Sequence, residues 1–566
     1  MKKLISLLLL AALTGVSIAQ TGVYTYLTQA VTGSNLRNYK LSGYNGVKKT
    51  YRWYEIQSGI GDFSFTQIKS DIERIADSAL EIGLQIAVGP GAPIDSTNHW
   101  LVDLGLDTFY TTGGGFSGLN NGPYPNYYDT LYTNSFLRLH KALADTLYNL
   151  PPYQKAKFKS VFIVFGTTGD PQPYKGTAIT TSYGVYEDDA WHAYMLRMAD
   201  SCASYYAKNA GFLKIAFNPS NSAQNLTTFR TRFPGCMLKH GDASHDYPVF
   251  GEADKLTYWP FTDQLYFGEV QDEIVNSPYG SRDWFALILS GLSLKLNRFD
   301  WPSGWIGEPD NAFLVNFVKT YTSHFNPSTA GKGFIALAEK PSINDVVTYP
   351  EATYGTLISN TTAYNNRLSV IESSGYDELF KKFLRLDAVR DFTNPARITA
   401  MEAITGGTFS PETGPFWFND LGYNTVQNYS LHITQLLIRE TSTGAWRIGT
   451  SSVYGRAARK AKSYAGVRKL YFDINDALKA TNDQDSLRFK IVYYDRGFGK
   501  WQLLCYKCFK STVSNTNSLT FKEAVITVPR FKWGNKMAYG SDFQLKFLST
   551  DVPEIALIQV ENLNKD

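Results

Sequence analysis

Cysteine is scarce in this sequence. Cys202, Cys236, Cys505 and Cys508 are the only four in 566 residues, which excludes a small disulfide scaffold. The Cys505-x-x-Cys508 pair has no second pair and no nearby histidine, which makes it a poor zinc signal. On a flat strand its two side chains would face opposite sides, and the pair reads as structural. Net charge is also low: 55 Lys and Arg against 51 Asp and Glu give +4, and Lys2 and Lys3 supply two of those charges. That is too little for a nucleic-acid partner and fits a neutral or mildly anionic substrate. Beyond residue 16 no run is long and apolar enough to predict a membrane span, and no fixed-period repeat is present.

The N-terminus is different. Two lysines precede an apolar stretch over residues 4–16, and Ser17-Ile18-Ala19 places small residues where a signal peptidase reads them. Such a stretch predicts a secretory leader, residues 1–19, rather than a membrane helix. A secreted or periplasmic protein is therefore expected, with cleavage after Ala19.

Hydrophobic residues make up 43% of the chain and charged residues 19%, enough apolar material for large cores in two or three domains. Through the front two-thirds, short apolar runs alternate with helical patterns, as in parallel strands covered by helices. Strands are expected at 47–56, 84–88, 161–165, 213–217, 236–240, 265–269 and 293–299. Helices are expected at 65–83, with Gly83 as its stop, and at 134–150, 190–209, 284–292 and 313–324. About eight such units make a (β/α)8 TIM barrel. The Gly-, Asn-, Tyr- and Pro-rich segment 94–134 is long for a loop, and loops of that length usually carry function or a small insertion. Beyond Gly406 strands alternate with turns at 429–440, 469–474, 486–494, 501–509, 522–528 and 543–547, which predicts an antiparallel β-sandwich. The expected domains are thus 20–405 and 406–566, with residues 330–400 mixed and helical.

Barrel chemistry sits at the C-terminal ends of the strands, so carboxylates there are the candidates. Asp170 follows the apolar run 161–165 after Gly166-Thr-Thr-Gly169, whose glycines permit a tight turn. The alternative is a loop aspartate capping the next turn. Glu269 ends the run 265–269; a glutamate there belongs in a cleft more readily than in a core. Asp272 and Glu273 are its near rivals. The 99 residues between Asp170 and Glu269 fit an acid after the fourth strand and a nucleophile after the seventh. Glycoside hydrolysis needs such a pair, one carboxyl to protonate the leaving oxygen and one to attack or to activate water. Arg52 at the end of the 47–56 run is placed to hold a hydroxyl or an anionic group, or to pair within the barrel. His240 and His245 are candidate substrate contacts. With Asp242 and Asp246 they match no standard metal spacing, so neither a metal nor a cofactor is expected. Aromatics reach 15%, and the tryptophans near strand ends, Trp53, Trp259, Trp301 and Trp305, are candidates for stacking on sugar rings; the alternative for each is core packing.

Arg52-Trp53-x-x-Ile56 followed by Gly59-x-Gly61-Asp62-Phe63-Ser64-Phe65 resembles the first strand and loop of barrel glycosidases related to β-galactosidases and β-agarases. The Gly166-x-x-Gly169-Asp170 stretch is similar to the acid-bearing loop of those enzymes and of β-amylases, where glutamate is usual. Asp is one methylene shorter, and a contact to a sugar hydroxyl is the alternative role. Glu269 matches the strand-seven nucleophile of this clan A type. Tyr454-Gly455-Arg456, Tyr471-Phe472-Asp473-Ile474, Tyr493-Tyr494-Asp495-Arg-Gly497 and Tyr539-Gly-Ser-Asp542-Phe543 resemble the terminal β-sandwich of many polysaccharide-degrading enzymes. The resemblance implies a two-carboxylate, retaining hydrolase of a red-algal galactan, carrageenan or agar, of the β-carrageenase family type. Two other readings compete with it: a non-catalytic glycan-binding protein on a degenerate barrel, and a metal-dependent hydrolase. A polysaccharide or oligosaccharide is the expected partner, and oligomeric state is left open.

Overall fold

A computed structural model describes residues 21–89, 92–94, 98–112, 122–167, 171–178, 188–219, 223–243, 266–270, 288–289, 291–292, 296, 298–302, 309–322, 331–336, 421–423, 425–429, 433–437, 457–461, 469–480, 485–495, 497–508, 511–518, 520–537, 541–549 and 554–565. The expected leader lies outside them. The chain divides into two compact units. No helix among the described residues is long and apolar enough to cross a membrane.

The first unit is a closed barrel of eight strands: β1 (Gly22–Leu27), β2 (Gly46–Arg52), β3 (Glu81–Ala87), β4 (Phe158–Ile163), β5 (Lys214–Phe217), β6 (Met237–Ala243), β7 (Tyr266–Val270) and β8 (Arg298–Pro302). Neighbours run parallel, and β1 closes the ring by pairing with both β2 and β8. The expected barrel is present, but its first strand is Gly22–Leu27 rather than 47–56. Arg52 therefore ends the second strand, not the first, and residues 53–56 form a helical turn after it. Counted this way, Asp170 follows the fourth strand and Glu269 lies on the seventh.

Helices α1 (Gly33–Leu41), α2 (Thr66–Asp77), α3 (Thr130–Tyr148), α4 (Asp188–Tyr206) and α5 (Ala223–Arg232) intervene between strands. Helix α2 buries Ile68, Ile72, Ile75 and Ala76 along one stripe, the spacing of an amphipathic helix. It stops sooner than expected. Ala79 takes a left-handed φ of 62°, its N–H donates to Ala76 O at 2.9 Å, and Leu80 N–H reaches back to Ile75 O at 3.3 Å. That is a Schellman-type stop, so Gly83 is a strand residue rather than the end of the helix.

The second unit contains helix α6 (Pro309–Thr322) and two antiparallel sheets. One sheet is built from β9 (Lys332–Ala336), β10 (Leu421–Tyr423), β12 (Ile433–Leu437), β13 (Ala457–Ala461), β15 (Asp485–Tyr494), β18 (Phe521–Phe531) and β20 (Glu554–Asn562). The other is β11 (Thr425–Tyr429), β14 (Lys469–Ile474), β16 (Lys500–Cys505), β17 (Ser511–Ser514) and β19 (Phe543–Phe547). Alternating inward residues such as Leu487, Phe489 and Ile491 meet Leu470, Phe472, Leu503 and Leu545 in one apolar core. Strand β9 falls inside the span 20–405 expected for the barrel domain, yet it pairs with β20 in this sheet. Cys505 and Cys508 form a disulfide. The flat-strand argument does not apply to them, because β16 ends at Cys505 and a turn with Lys507 at φ 52° brings Cys508 back.

The aspartates of the sandwich motifs hold turns. Asp495 is buried and accepts from Thr516 N at 2.7 Å, Ser518 N at 3.1 Å and the Lys522 ammonium at 2.6 Å. Burial alone would raise its carboxyl; the bonds from Lys522, Thr516 and Ser518 outweigh burial and hold it below the usual carboxylate range. Asp542 accepts from Ile474 N and Asn535 N, each at 3.0 Å, tying β14 to the turn before β19.

Candidate functional site

Barrel strands alternate between an inner and an outer face. On β8 the sequence Arg298-Phe299-Asp300-Trp301 puts both charged residues on one face and both aromatics on the other. Arg298 and Asp300 are fully buried, and Arg298 Nε donates to Asp300 Oδ1 at 2.7 Å. Arg298 Nη1 donates to Ser160 Oγ on β4 at 2.9 Å, and the guanidinium lies over the Tyr24 ring of β1 at 3.7 Å. Lys48 of β2, also buried, places its ammonium 3.4 Å from Asp300 Oδ2 and 5.1 Å from the centre of the Phe162 ring. Below this group the Tyr24 hydroxyl donates to Glu81, which Lys159 also approaches at 3.5 Å. Burial, then the Glu81 charge, pushes the Tyr24 phenol well above its ordinary value. Buried ions persist only when partnered, and these partners come from five different strands.

Toward the C-terminal strand ends, Val164 and Phe165 continue the burial of β4 into the loop that bears Asp170. At Gly166 a Cβ would meet Gln172 O at 2.1 Å, so only glycine fits that close approach. Thr167 N–H donates to Gln172 O at 3.1 Å, and Trp191 Nε1 of α4 donates to Pro171 O at 2.5 Å. Both flanks of Asp170 are thereby anchored, while residues 168–170 lie outside the described residues. Tyr127 packs against Trp191 at 5.2 Å, Tyr194 stacks on Trp191 at 4.9 Å, and the partly exposed Tyr128 meets Tyr194 at 5.5 Å.

Glu269 is on β7 in register with Asp300 of β8, and Phe267 is in register with Arg298. His240 and Asp242 are on β6. Asp272, Glu273, His245, Asp246, Trp259 and Trp305 lie outside the described residues. Arg52 is exposed at the end of β2, with its guanidinium donating to the Tyr54 hydroxyl and its backbone N–H donating to Glu55 Oε2 at 3.0 Å.

Two stacking candidates are corrected. The helical turn after β2 drives Trp53 into the core, where Nε1 donates to Gln57 Oε1 at 2.6 Å and the ring meets Tyr132 at 5.5 Å. Trp301 occupies the outer face of β8 and meets Tyr44 edge-on at 5.8 Å. Both are fully buried, so neither offers a ring face to a sugar. Tyr110 and Tyr128, in the segment 94–134, are exposed, as are Tyr148, Tyr153 and Phe498 elsewhere. An open groove of about 540 Å³ belongs instead to the helical layer, lined by Thr66, Lys69, Glu73, Asp145, Asn149 and Gln154 among others.

The residues described so far define a (β/α)8-barrel protein with an antiparallel β-sandwich. Solved structures with similar folds include the catalytic domain of a β-amylase from Paenibacillus polymyxa, at 10% identity and a TM-score of 0.39 over 54% of this chain and 99% of that one. Another is the tri-modular endo-β-1,4-glucanase B of Bacillus halodurans, at 11% identity and a TM-score of 0.35 over 53% and 59%. A broad-specificity endoglucanase from Clostridum cellulovorans gives 10% identity and a TM-score of 0.34 over 54% and 95%. No protein-family profile matches the chain, and no curated protein matches it either.

Proposed function

We propose that this chain is an exported glycoside hydrolase that cleaves β-glycosidic bonds of a polysaccharide, with Asp170 as proton donor and Glu269 as nucleophile. The observation that carries the reading is positional. Residue 269 sits on the seventh strand of a closed barrel, and residue 170 follows the fourth strand in a loop whose flanks are anchored. Carboxyl groups brought to the mouth from these two strands are what two-step displacement with retention requires, at a separation of about 5–5.5 Å. The motif resemblance favours a red-algal galactan, carrageenan or agar, as substrate, and the small positive charge is in keeping with a sulfated polymer.

Reducing-sugar release from carrageenan, agarose and plain β-galactan tests the reading. Wild type is expected to turn over at least one of them. Glu269→Gln should abolish turnover while binding survives, and Asp170→Asn should lower it severely. Binding of a galactan without turnover by the wild type would replace the hydrolase with a glycan-binding protein. N-terminal sequencing of the exported product should begin at Gln20.

A further inference from the structure

The barrel interior is rich in buried positive charge. Lys48, Lys239 and Arg298 come from β2, β6 and β8 and are 1%, 5% and 0% exposed; Asp300 is 0% exposed on β8. Glu269 is the register partner of Asp300 on the adjacent strand. Registered positions of parallel neighbours share a face and lie about 4.8 Å apart across the sheet. Two carboxylates in such positions repel, and the usual result is that one stays protonated. A nucleophilic carboxylate must be ionised.

We propose that Lys48 and Arg298 are positioning residues for Glu269: by compensating Asp300 they keep the carboxylate at 269 ionised at working pH. The inference rests on the reading of Glu269 as nucleophile and deepens it. Arg298 is held to Asp300 at 2.7 Å and Lys48 to its other oxygen at 3.4 Å, so both cations are fixed against the position next to 269. The other charged or titratable residues on β7 and its second flanking strand are Tyr266 on β7 and Lys239, His240 and Asp242 on β6; elsewhere in the barrel Tyr24 and Tyr26 are on β1 and Glu81 on β3. Of these, Glu81 is engaged by Tyr24 and Lys159.

The test is an infrared titration of the carboxyl stretch on the full chain, taken as the difference between each protein and its Glu269→Gln counterpart. The difference isolates proton uptake at residue 269 and cancels His240 and Asp242. Lys48→Met should raise the midpoint by about one pH unit or more, the range for losing an opposite charge within a few ångströms. Asp300→Asn should lower it, and Lys48→Arg should leave it near the wild-type value. Circular dichroism checks that each variant folds; if Lys48→Met does not, Lys48→Gln, which also removes the charge but keeps a polar group, is read in its place with the same expected rise. The acid limb of kcat/KM, measured on the galactan turned over fastest, should follow the same order. Midpoints that stay put, or that move in one direction for Lys48→Met and Asp300→Asn, overturn the proposal. A Glu269→Gln protein that keeps its turnover would remove the nucleophile reading, while the infrared midpoints would still decide the electrostatics.

Discussion

Arg298 on β8 reaches across the barrel to Ser160 on β4, and the space it crosses exists because the register neighbour of Ser160 on β3 is Gly83. A Cβ at position 83 would lie 3.0 Å from Arg298 Nη2, 3.0 Å from Ser160 Oγ and 3.2 Å from Phe162 Cε2. The glycine is a packing requirement of the buried charge cluster.

Gly83→Ala should therefore destabilise the barrel. The guanidinium is the one flexible neighbour, but it is held by Asp300 and Ser160, so relief costs a hydrogen bond or a displaced ring. Overpacking of this kind costs about 1–3 kcal/mol. Thermal unfolding of the full chain should show a lower Tm for Gly83→Ala and a lower one still for Gly83→Val. An unchanged Tm for both would mean that Arg298 is freely displaced.

The barrel was legible where apolar strands are followed by strongly amphipathic helices, as with β3 and α3. β1 escapes that rule. Helix α1 after it carries Arg37 and Lys40 and buries only Leu36 and Tyr39, so no helical stripe marks the unit. The charge cluster escapes for a related reason. A search for carboxylates at strand ends passes over Lys48 and Arg298, which sit within strands, and β8 runs on through Asp300 past the expected end at 299. The two-residue alternation Arg298-x-Asp300 was the available signal. In the sandwich, β14 and β19 lie where the pattern puts them, at Lys469–Ile474 and Phe543–Phe547. The motif residues Asp495 and Asp542 are distinctive because turns need their carboxylates as acceptors, a local demand visible in sequence without any ligand.

His140 on α3 makes the barrel unit sensitive to acid. Its Nδ1 and the Tyr206 hydroxyl lie 3.2 Å apart in a hydrogen bond, and burial pushes the imidazole down from 6.5 to about 3. The folded protein thus holds this histidine neutral, whereas the unfolded chain takes up a proton below about pH 6.5. Its contribution is complete above that pH and is lost as pH falls toward 3, with a limiting slope of about 1.4 kcal/mol per pH unit. His140→Gln, which does not titrate, should show a shallower fall in urea-unfolding stability between pH 6.5 and 4.5. Parallel curves for variant and wild type would exclude this origin.

Asp473 and Asp542 act in the opposite sense in the sandwich. Turned to donate, the Asn535 amide nitrogen reaches Oδ1 of both at 3.2 Å. Burial first, and the Asp542 charge second, push Asp473 up to about 7, and burial also raises Asp542. The folded unit binds a proton that the unfolded chain releases near pH 4. This contribution is present below that pH and is lost as pH rises through about 7. Asp473→Asn should raise Tm at pH 8 and leave it nearly unchanged at pH 4, read by calorimetry of the full chain. A Tm gain as large at pH 4 as at pH 8 would point to packing rather than charge.

The stop of α2 offers a stabilising change. Ala79 adopts φ 62° to complete the turn that releases the chain into β3. An L-residue with a Cβ pays about 1–2 kcal/mol in this region, and glycine avoids that clash while losing about 0.5–1 kcal/mol of chain entropy on folding. Ala79→Gly should therefore stabilise the protein by about 0.5–1 kcal/mol, seen as a higher urea midpoint at unchanged m-value. Ser78→Gly one residue earlier is the control. Ser78 has φ −75° and its hydroxyl donates to Arg74 O at 3.0 Å, so glycine there relieves no clash and removes a bond. A gain at 78 equal to that at 79 would show that loosening the turn, rather than relieving the left-handed backbone, was responsible.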